Sequence, residues 1–273
     1  MSSILEEIFA AKRVEVREAR GRVAPEAVAA AATRAPAPRD FVAAIRARRP
    51  AIIAEIKRAS PSKGDIMPGL DPAAVAREYA DAGAAAISVL TDRHFKGTLD
   101  DLRAVRGAVE IPILRKDFFF DPYQLYEARA AGADCILLIA AMLKEGQLRS
   151  LAALARELKM AALIEVHNPG ELRVAESTGS PLIGINNRDL HTFVTDIAVS
   201  ERILAGYRGD ALIVAESGID SPADIQRLDK AGARAFLIGE SLLRGGAPRA
   251  KLAELAGALG REPAPPLKEE ERK

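Results

Sequence analysis

Short apolar runs, each the length of a β-strand, alternate along the chain with longer alanine-rich stretches that have helical apolar spacing. Eight strands are predicted, at Ala51–Ile56, Ala85–Leu90, Pro112–Lys116, Asp134–Ile139, Ala161–Val166, Pro181–Asn186, Ala211–Glu216 and Arg234–Ile238. Helices are predicted between several of these strands, at Asp71–Ala82, Pro122–Ala131, Lys144–Lys159 and Pro222–Ala231. Strands separated by helices form right-handed βαβ units, so the pattern favours a parallel sheet.

A weak internal repeat accompanies this alternation. The segments DAGAAAISVL, RAAGADCILLI and DKAGARAFLIG share the order of a helix end, Ala-Gly-Ala and a strand. Their glycines, Gly83, Gly132 and Gly232, are predicted to end the helices in the left-handed conformation. Eight βα units in roughly 250 residues have the size of a (β/α)8 barrel. The competing fold, a doubly wound open sheet, usually carries a glycine-rich dinucleotide loop after its first strand, where this chain has RASPSKG. We therefore predict an α/β chain with a single (β/α)8 TIM barrel.

The predicted barrel leaves residues at both ends of the chain. We expect residues 1–48 to form an N-terminal helical extension that packs on the barrel, and residues 49–260 to form the barrel itself. A helix from about Leu5 to Ala19 is predicted in the extension, which can cover one mouth of the barrel. Residues 261–273, REPAPPLKEEERK, are proline-rich and then charged, so we expect a disordered tail without chemistry.

Composition argues against several classes of partner. The 273 residues carry a formal net charge of +1 and include no tryptophan, which disfavours nucleic acid as the main partner. No signal peptide and no apolar run long enough to cross a bilayer is evident, so no membrane partner is expected. The single cysteine, Cys135, cannot form an internal disulfide, and we expect a cytoplasmic protein. His94, His167 and His191 lie far apart without ligand-like neighbours, so no metal site is predicted.

Polar residues stand at the carboxyl ends of the predicted strands, where parallel barrels have their active sites. Glu55 and Lys57, two residues apart, share one face of the first strand. The other strand-end residues are Lys116, Glu165, Asn186 and Glu216, on strands three, five, six and seven. If these side chains point inward, they converge on one mouth; the alternative is that each reaches solvent or pairs across the rim. Because unneeded convergent charge costs stability, we predict an active site there.

The residue types at this mouth predict its chemistry. Neighbouring charges and burial shift pKa values. A lysine among other cations, partly shielded from water, would act as a general acid near neutral pH, and a glutamate held away from water would act as a base. Lys116 and Glu165 are the candidates for these two roles.

Gly218 and Gly239 lie in turns after strands seven and eight. Barrel loops at these positions often bind phosphate through backbone N–H groups, and glycine lets the backbone approach an anion closely. Lys57 or Ser60 would add a side-chain contact. The alternative interpretation is that both glycines only permit tight turns.

Three further residues each allow two interpretations. Phe118, in a run of three phenylalanines, either lines an aromatic pocket or packs as core under a loop. Asp117 forms either a rim salt bridge or the cap of the next helix. Arg188 binds either an anion or the strand-end carboxylates.

Taken together, these motifs resemble the indole-3-glycerol phosphate synthase family. The matching segments, in the family's order across residues 51–244, are AEIKRASPSKG, ISVLTD, PILRKDFFFDPYQLYEARAAGADCILLI, LIEVH, IGINNRDLHTF, VAESGI and IGESLLR. The first 50 residues also resemble the family's N-terminal extension, with less specificity. The resemblance implies a lyase of tryptophan biosynthesis that closes 1-(2-carboxyphenylamino)-1-deoxyribulose 5-phosphate to indole-3-glycerol phosphate, releasing carbon dioxide and water. It implies no metal or organic cofactor, and a small phosphorylated aromatic amine as the partner; a monomer is favoured, while the oligomeric state stays open.

The resemblance also assigns roles to single residues. The family's catalytic positions fall on Glu55, Lys57, Ser60, Lys116, Glu165, Asn186, Glu216 and Ser217. Lys116 is implied to be the general acid on the ketose carbonyl, and Glu165 the general base. Lys57 would hold the substrate's charged groups, oriented by Glu55, while Asn186, Glu216 and Ser217 position the intermediates. Which lysine serves ring closure and which serves dehydration stays open.

Other positions are implied to bind the substrate. They are Ser60, Phe95, Phe118, Arg188, Gly218, Gly239, Glu240 and Ser241. The phosphate would lie at the two glycine turns with Lys57 beside it, and Phe118 would stack on the substrate's aromatic ring.

Two loops near this site are singled out by the resemblance. Ser60-Pro61-Ser62 opens a loop that we expect to be mobile and to close over the substrate, excluding water. The segment Leu90–Gly97 departs from the family pattern, because it is one residue shorter than the usual loop. It holds one aromatic residue, Phe95, where the family often has two.

Two other functions compete with this interpretation. The first is phosphoribosylanthranilate isomerase or a similar phosphate-binding barrel, but an isomerase needs one acid and one base, without two strand-end lysines and three glutamates. The second is a barrel that only binds a phosphorylated ligand or serves as a scaffold. Intact Lys116 and Glu165 argue against that second function.

Overall fold

The computed structural model describes residues 4–60, 64–67, 69–189 and 192–260. The predictions made for the Pro61-Ser62 part of the loop after the first strand, for His191 and for the 261–273 tail lie outside these residues.

The eight predicted strands form one closed parallel barrel, which confirms the barrel and excludes the open sheet. The strands are β1 (Ala51–Ile56), β2 (Ala86–Leu90), β3 (Ile113–Lys116), β4 (Cys135–Ile139), β5 (Ala161–Val166), β6 (Leu182–Asn186), β7 (Leu212–Glu216) and β8 (Ala235–Ile238). Each strand ends at its predicted residue and begins within one residue of its predicted start. The ring closes because β1 pairs with β8 on one side and β2 on the other.

Twelve α-helices lie in the described part of the chain. They are α1 (Ile4–Arg22), α2 (Pro25–Arg34), α3 (Phe41–Arg46), α4 (Pro72–Asp81), α5 (Leu99–Ala108), α6 (Pro122–Ala130), α7 (Glu145–Glu157), α8 (Pro169–Glu176), α9 (Ala198–Ala205), α10 (Pro222–Ala231), α11 (Glu240–Leu243) and α12 (Pro248–Ala256). The first three precede the barrel, and α1 extends a turn beyond the predicted helix. Within the described residues, no helix is both long and apolar enough to cross a membrane.

Local sequence explains where the barrel helices begin and end. The side chains of Asp71, Thr98, Asp121, Asn168 and Ser221 accept hydrogen bonds from backbone N–H groups in the first turns of the helices that follow them. The three glycines of the internal repeat have φ values of 92°, 94° and 117° at the helix ends, as predicted.

The core has two layers because side chains alternate along each strand. Ala51 and Ile53 of β1 pack inside the barrel, together with Phe41 and Ile45 of α3. The intervening residues of β1, such as Ile52, pack between the barrel and its helices. The same alternation continues to the ends of the strands, so it determines which polar side chains point into the barrel.

Candidate active site

The predicted strand-end residues meet at the carboxyl mouth of the barrel. Inward-facing Leu114, Leu163 and Val214 lie two residues before Lys116, Glu165 and Glu216 respectively, so the alternation turns these charged side chains inward. Most of the inward strand-end residues line a cavity of about 350 Å³ with most of the loop residues implied to bind substrate, while Glu216 lies behind this lining in contact with Lys116. Glu55, Lys57, Lys116, Glu165, Asn186 and Ser217 all contribute to its wall.

Opposite charges pair at the bottom of this cavity. Lys57 Nζ lies 2.8 Å from Glu55 Oε1. Lys116 Nζ lies 3.1 Å from Glu216 Oε2 and 3.6 Å from Glu55 Oε2. The side chain of Glu216 is only 1% exposed and that of Glu55 only 5%. The two lysines are therefore joined through buried carboxylates, and the lysine side chains themselves are only 10% and 16% exposed.

The surroundings of Lys116 correct one expectation from the sequence. Its nearest charges are carboxylates, not cations. Burial opposes the ammonium, but Glu216, Glu55 and Glu165 outweigh burial and raise the pKa of Lys116 above its usual value. Lys116 therefore keeps its proton across the neutral range and enters a reaction in the form that a general acid requires.

Glu216 and Glu55 differ in pKa because their charged neighbours differ. Burial, with the nearby carboxylates of Glu165 and Glu55, raises the pKa of Glu216 to about 7 against the opposing effect of Lys116. Burial would also raise the pKa of Glu55, but Lys57 and Lys116 outweigh it and lower that pKa to about 2. Glu55 is thus a permanent carboxylate, whereas Glu216 changes charge near neutral pH.

Two glycines make room for these carboxylates. A Cβ atom at Gly184, an inward position of β6, would overlap Oε1 of Glu216. A Cβ atom at Gly239 would overlap Oε1 of Glu55, although the φ of Gly239, −129°, is open to any residue. Gly239 therefore has a reason to be glycine besides the predicted approach to an anion. Sequence reasoning missed Gly184, because its constraint comes from a side chain on the next strand.

Gly184→Ala is expected to lower kcat roughly 10- to 100-fold. The added methyl group displaces the Glu216 carboxylate from Lys116, and misplacement by about 1 Å can cost about 100-fold in rate. Steady-state kinetics would measure the loss. Gly146→Ala is the matched control, since no atom lies within 4 Å of a Cβ there. A Gly184→Ala enzyme with unchanged kcat would show that Glu216 need not hold its observed position.

The predicted anion turns lie at one side of the cavity. Ser217 and Gly218 have left-handed φ values of 65° and 77°, and the Ser217 carbonyl accepts a hydrogen bond from Asn187 Nδ2 at 3.1 Å. Gly239 precedes α11, which begins with Glu240 and Ser241. The hydroxyl of Ser241 is buried without a hydrogen-bond partner among the described residues, and so is that of Ser60.

Arg188 pairs with a carboxylate, but not with one at a strand end. It lines the cavity beside the anion turns, and its guanidinium lies 3.8 Å from Glu240, the first residue of α11. Its backbone N–H donates to Asn186 Oδ1 at 3.0 Å, which fixes the amide of that strand-end residue. Because Arg188 stays in the wall of the cavity, it also remains available to an anion there.

An apolar wall faces the anion turns. Phe95 and Phe118 stack with ring centroids 6.4 Å apart, and both line the cavity. Ile8 of α1 lines it too, so the N-terminal helix contributes to the wall. Phe119, which follows Phe118 in the sequence, is instead buried in the core, so the two neighbouring phenylalanines have different roles.

Lys12 of α1 lies next to the site, and sequence reasoning missed it. Its side chain is 1% exposed, and its Nζ lies 2.7 Å from Asp92 Oδ2 and 2.8 Å from Asp117 Oδ1. Asp117 thus forms a buried salt bridge, while Asp121 caps the next helix. Lys12 joins α1 to the loops that carry Phe95 and Phe118. In the sequence it is one of many charges in an exposed-looking helix, and only its distant partners mark it.

Comparisons with known proteins show the family of the chain. A family model described as indole-3-glycerol phosphate synthase matches residues 5–255. The indole-3-glycerol phosphate synthase of Polaromonas naphthalenivorans is 47% identical over 262 residues, covering 94% of this chain and 100% of that protein. That of Acidithiobacillus ferrooxidans is 49% identical over 254 residues, covering 91% and 96%. The solved thiamine phosphate pyrophosphorylase from Pyrococcus furiosus matches with a TM-score of 0.59 at 16% identity, covering 79% of this chain and 97% of that one, and shows the fold alone.

Proposed function

The chain belongs to the indole-3-glycerol phosphate synthase family, and from that premise we propose which of its residues carry the reaction. The protein is a carboxy-lyase of tryptophan biosynthesis. It closes 1-(2-carboxyphenylamino)-1-deoxyribulose 5-phosphate to indole-3-glycerol phosphate and releases carbon dioxide and water.

The two sides of the cavity orient the substrate in this proposal. The phosphate lies at the turns of Ser217-Gly218 and Gly239-Glu240-Ser241, where backbone N–H groups and a buried hydroxyl are available. The carboxyphenyl ring lies against Phe95, Phe118 and Ile8. The ketose carbonyl then comes between these walls, above Lys116.

Ring closure begins at Lys116 in this scheme. Its ammonium donates a proton to the ketone oxygen while the ring carbon that bears the carboxylate attacks the carbonyl carbon. A carbon–carbon bond forms, and the ketone becomes a hydroxyl group. The carbon–carboxylate bond then breaks, carbon dioxide leaves, and its electron pair restores the aromatic ring.

Dehydration follows at the same mouth. The new hydroxyl leaves as water after protonation by a lysine, and Glu165 takes a proton from the neighbouring methylene carbon, which gives the indole double bond. Lys57 contacts the substrate's charged groups, and Glu55, which is ionised, orients Lys57. Asn186, Glu216 and Ser217 position the intermediates.

The observation that carries this assignment is the position of Lys116 Nζ at the cavity floor, 3.1 Å from Glu216 and 3.6 Å from Glu55. An isomerase needs fewer charged groups than two strand-end lysines and three glutamates. Burying these charges also costs stability, and a site that only binds a ligand would gain nothing in return. The cavity and its paired charges are complete within a single barrel, so we propose that a monomer suffices. The single cysteine, which cannot form an internal disulfide, supports our proposal that the protein works in the cytoplasm.

Glu165→Gln is expected to lower turnover about 100-fold, because the amide cannot take the proton. Purified protein would be mixed with the carboxyphenylamino-deoxyribulose phosphate in buffer with a chelator, and indole fluorescence followed. Glu201→Gln, which changes an exposed glutamate of α9 paired with Arg227, is the control. Full turnover by Glu165→Gln would refute its role as the base. A flat trace from the unaltered protein would refute the whole assignment.

A further inference from the structure

His167 lies between two carboxylates just after β5. Its Nε2 atom lies 3.4 Å from Glu165 Oε1, a charge contact without a hydrogen bond, and its Nδ1 atom lies 3.3 Å from Glu171 Oε2 within hydrogen-bond distance. The imidazole is 14% exposed, and the carboxylate of Glu165 is 3% exposed. An imidazole flanked by two carboxylates at these distances favours the protonated form.

Glu171 holds this imidazole in place. Its Oε2 accepts the backbone N–H of His167 at 2.8 Å, and its Oε1 accepts a hydrogen bond from Asn168 at 2.5 Å. Glu171 is in the first turn of α8, which Asn168 caps. The carboxylate therefore accepts two hydrogen bonds besides its contact with the imidazole, and it in turn fixes the ring.

We propose that His167 is a positioning residue for Glu165, an imidazolium whose charge, 3.4 Å away, holds the Glu165 carboxylate in place to accept a proton. The inference rests on the proposed role of Glu165 as the base. His167 belongs to the matched segment LIEVH, but none of the roles assigned above includes it.

The charged groups around His167 are carboxylates, and a positive charge on its imidazole offsets them. The groups facing it are Glu165 on β5, Glu171 on α8 and Glu216 on β7. Glu165 shares the buried mouth with Glu216, and their like charges repel. The imidazolium beside Glu165 and the ammonium of Lys116 beside Glu216 offset that repulsion.

The pKa shifts of His167 and Glu171 agree with this geometry. Burial opposes the imidazolium, but the hydrogen bond to Glu171 and the charges of Glu165, Glu171 and Glu216 outweigh it and raise the pKa of His167. The His167 contact outweighs burial and lowers the pKa of Glu171. A raised histidine pKa means that the cation is present below the usual histidine range and is lost only as pH rises through the raised value.

An NMR titration tests the charge without using activity. The ring signal of His167, assigned by its absence in His167→Gln, is expected to titrate above the usual value for histidine, and its midpoint is expected to fall in Glu171→Gln and in Glu165→Gln. A midpoint at or below the usual value, or one unmoved by Glu165→Gln, would overturn the inference. Because this readout needs no turnover, it separates failure here from failure of Glu165 as the base.

The pH profile of kcat/KM tests the consequence. In His167→Gln, kcat/KM is expected to fall several-fold at pH values where the native imidazole is charged, and to approach the unaltered value as pH rises through the midpoint of the His167 titration. His167→Lys, which keeps a cation, is expected to recover part of this loss, and Glu171→Gln to lose less than His167→Gln. Glu201→Gln, a change in a surface ion pair with Arg227 away from the cavity, is the control. An unchanged kcat/KM, or an equal loss at every pH, would reject the proposal and leave a structural role.

Discussion

Lys116→Met is expected to lower turnover by about 1,000-fold or more while the protein stays folded. Methionine fills a similar volume but cannot donate a proton, and loss of a positioned general acid costs about 100- to 10,000-fold. The change also removes the charge that two buried carboxylates share, at 3.1 Å and 3.6 Å. Indole fluorescence under single-turnover conditions would measure the chemical step separately from product release.

The remaining carboxylates explain why the fold should survive this change. Glu55 keeps Lys57 as its partner at 2.8 Å. Glu216, whose pKa of about 7 is already raised by burial, loses the one cation that lowers it and binds a proton at neutral pH. The variant therefore avoids an unpaired buried charge, and its melting temperature should stay near that of the unaltered protein.

Lys251→Met is the matched control for Lys116→Met, because Lys251 pairs with Glu254 on the surface of α12. It should turn over at the unaltered rate. Near-normal turnover by Lys116→Met would contradict the assignment of the general acid and would move that role to Lys57.

Sequence alternation predicted the barrel and most of its mouth for a simple physical reason. Period two along a strand fixes which face a residue occupies, and period 3.6 separates helices from strands. The alternation therefore predicts from the sequence alone that strand-end residues such as Lys116 and Glu216 point into the barrel. Local turn chemistry likewise predicted Gly83 and Gly232 as helix ends.

The parts that sequence did not predict all depend on partners distant along the chain or across the barrel. Gly184 looks like any strand glycine until Glu216 occupies the space beside it. The sequence predicts Lys116 among cations, and the closure of the barrel through β1 and β8 instead brings Glu55 and Glu216 around it. His167 was dismissed as isolated in sequence, because its partners become visible only when α8 folds against β5.

Lys12→Met is expected to lower the free energy of unfolding by about 3–5 kcal/mol at neutral pH, the usual cost of removing one partner from a buried ion pair. Lys12 Nζ lies 2.7 Å from Asp92 and 2.8 Å from Asp117, and all three side chains are at most 1% exposed. Asp117 keeps Arg115 at 3.0 Å, but Asp92 is left with only the neighbouring His94. Asp92→Asn added to Lys12→Met should therefore recover part of the loss.

The pH dependence of this loss has a defined sign. Burial opposes the ammonium, but Asp117 and Asp92 outweigh it and raise the pKa of Lys12, so its contribution is present at every pH below the usual lysine value of 10.5. Burial would raise the pKa of Asp117, but Arg115 and Lys12 lower it from 3.8 to about 2, so that contribution is present above 3.8 and lost as pH falls toward 2. The stability difference between Lys12→Met and the unaltered protein should thus be full at neutral pH and narrow in acid.

Denaturant unfolding of Lys12→Met would measure both the loss and its pH dependence, with Lys251→Met as the control for a lysine on the surface of a helix. The catalytic consequence should be a raised KM, because Asp92 and Asp117 fix the loops that bear Phe95 and Phe118. KM should rise with little change in kcat, since Lys116 keeps its own carboxylates. An unchanged free energy of unfolding would mean that α1 is held by its apolar contacts alone, and that the buried lysine contributes no net stability.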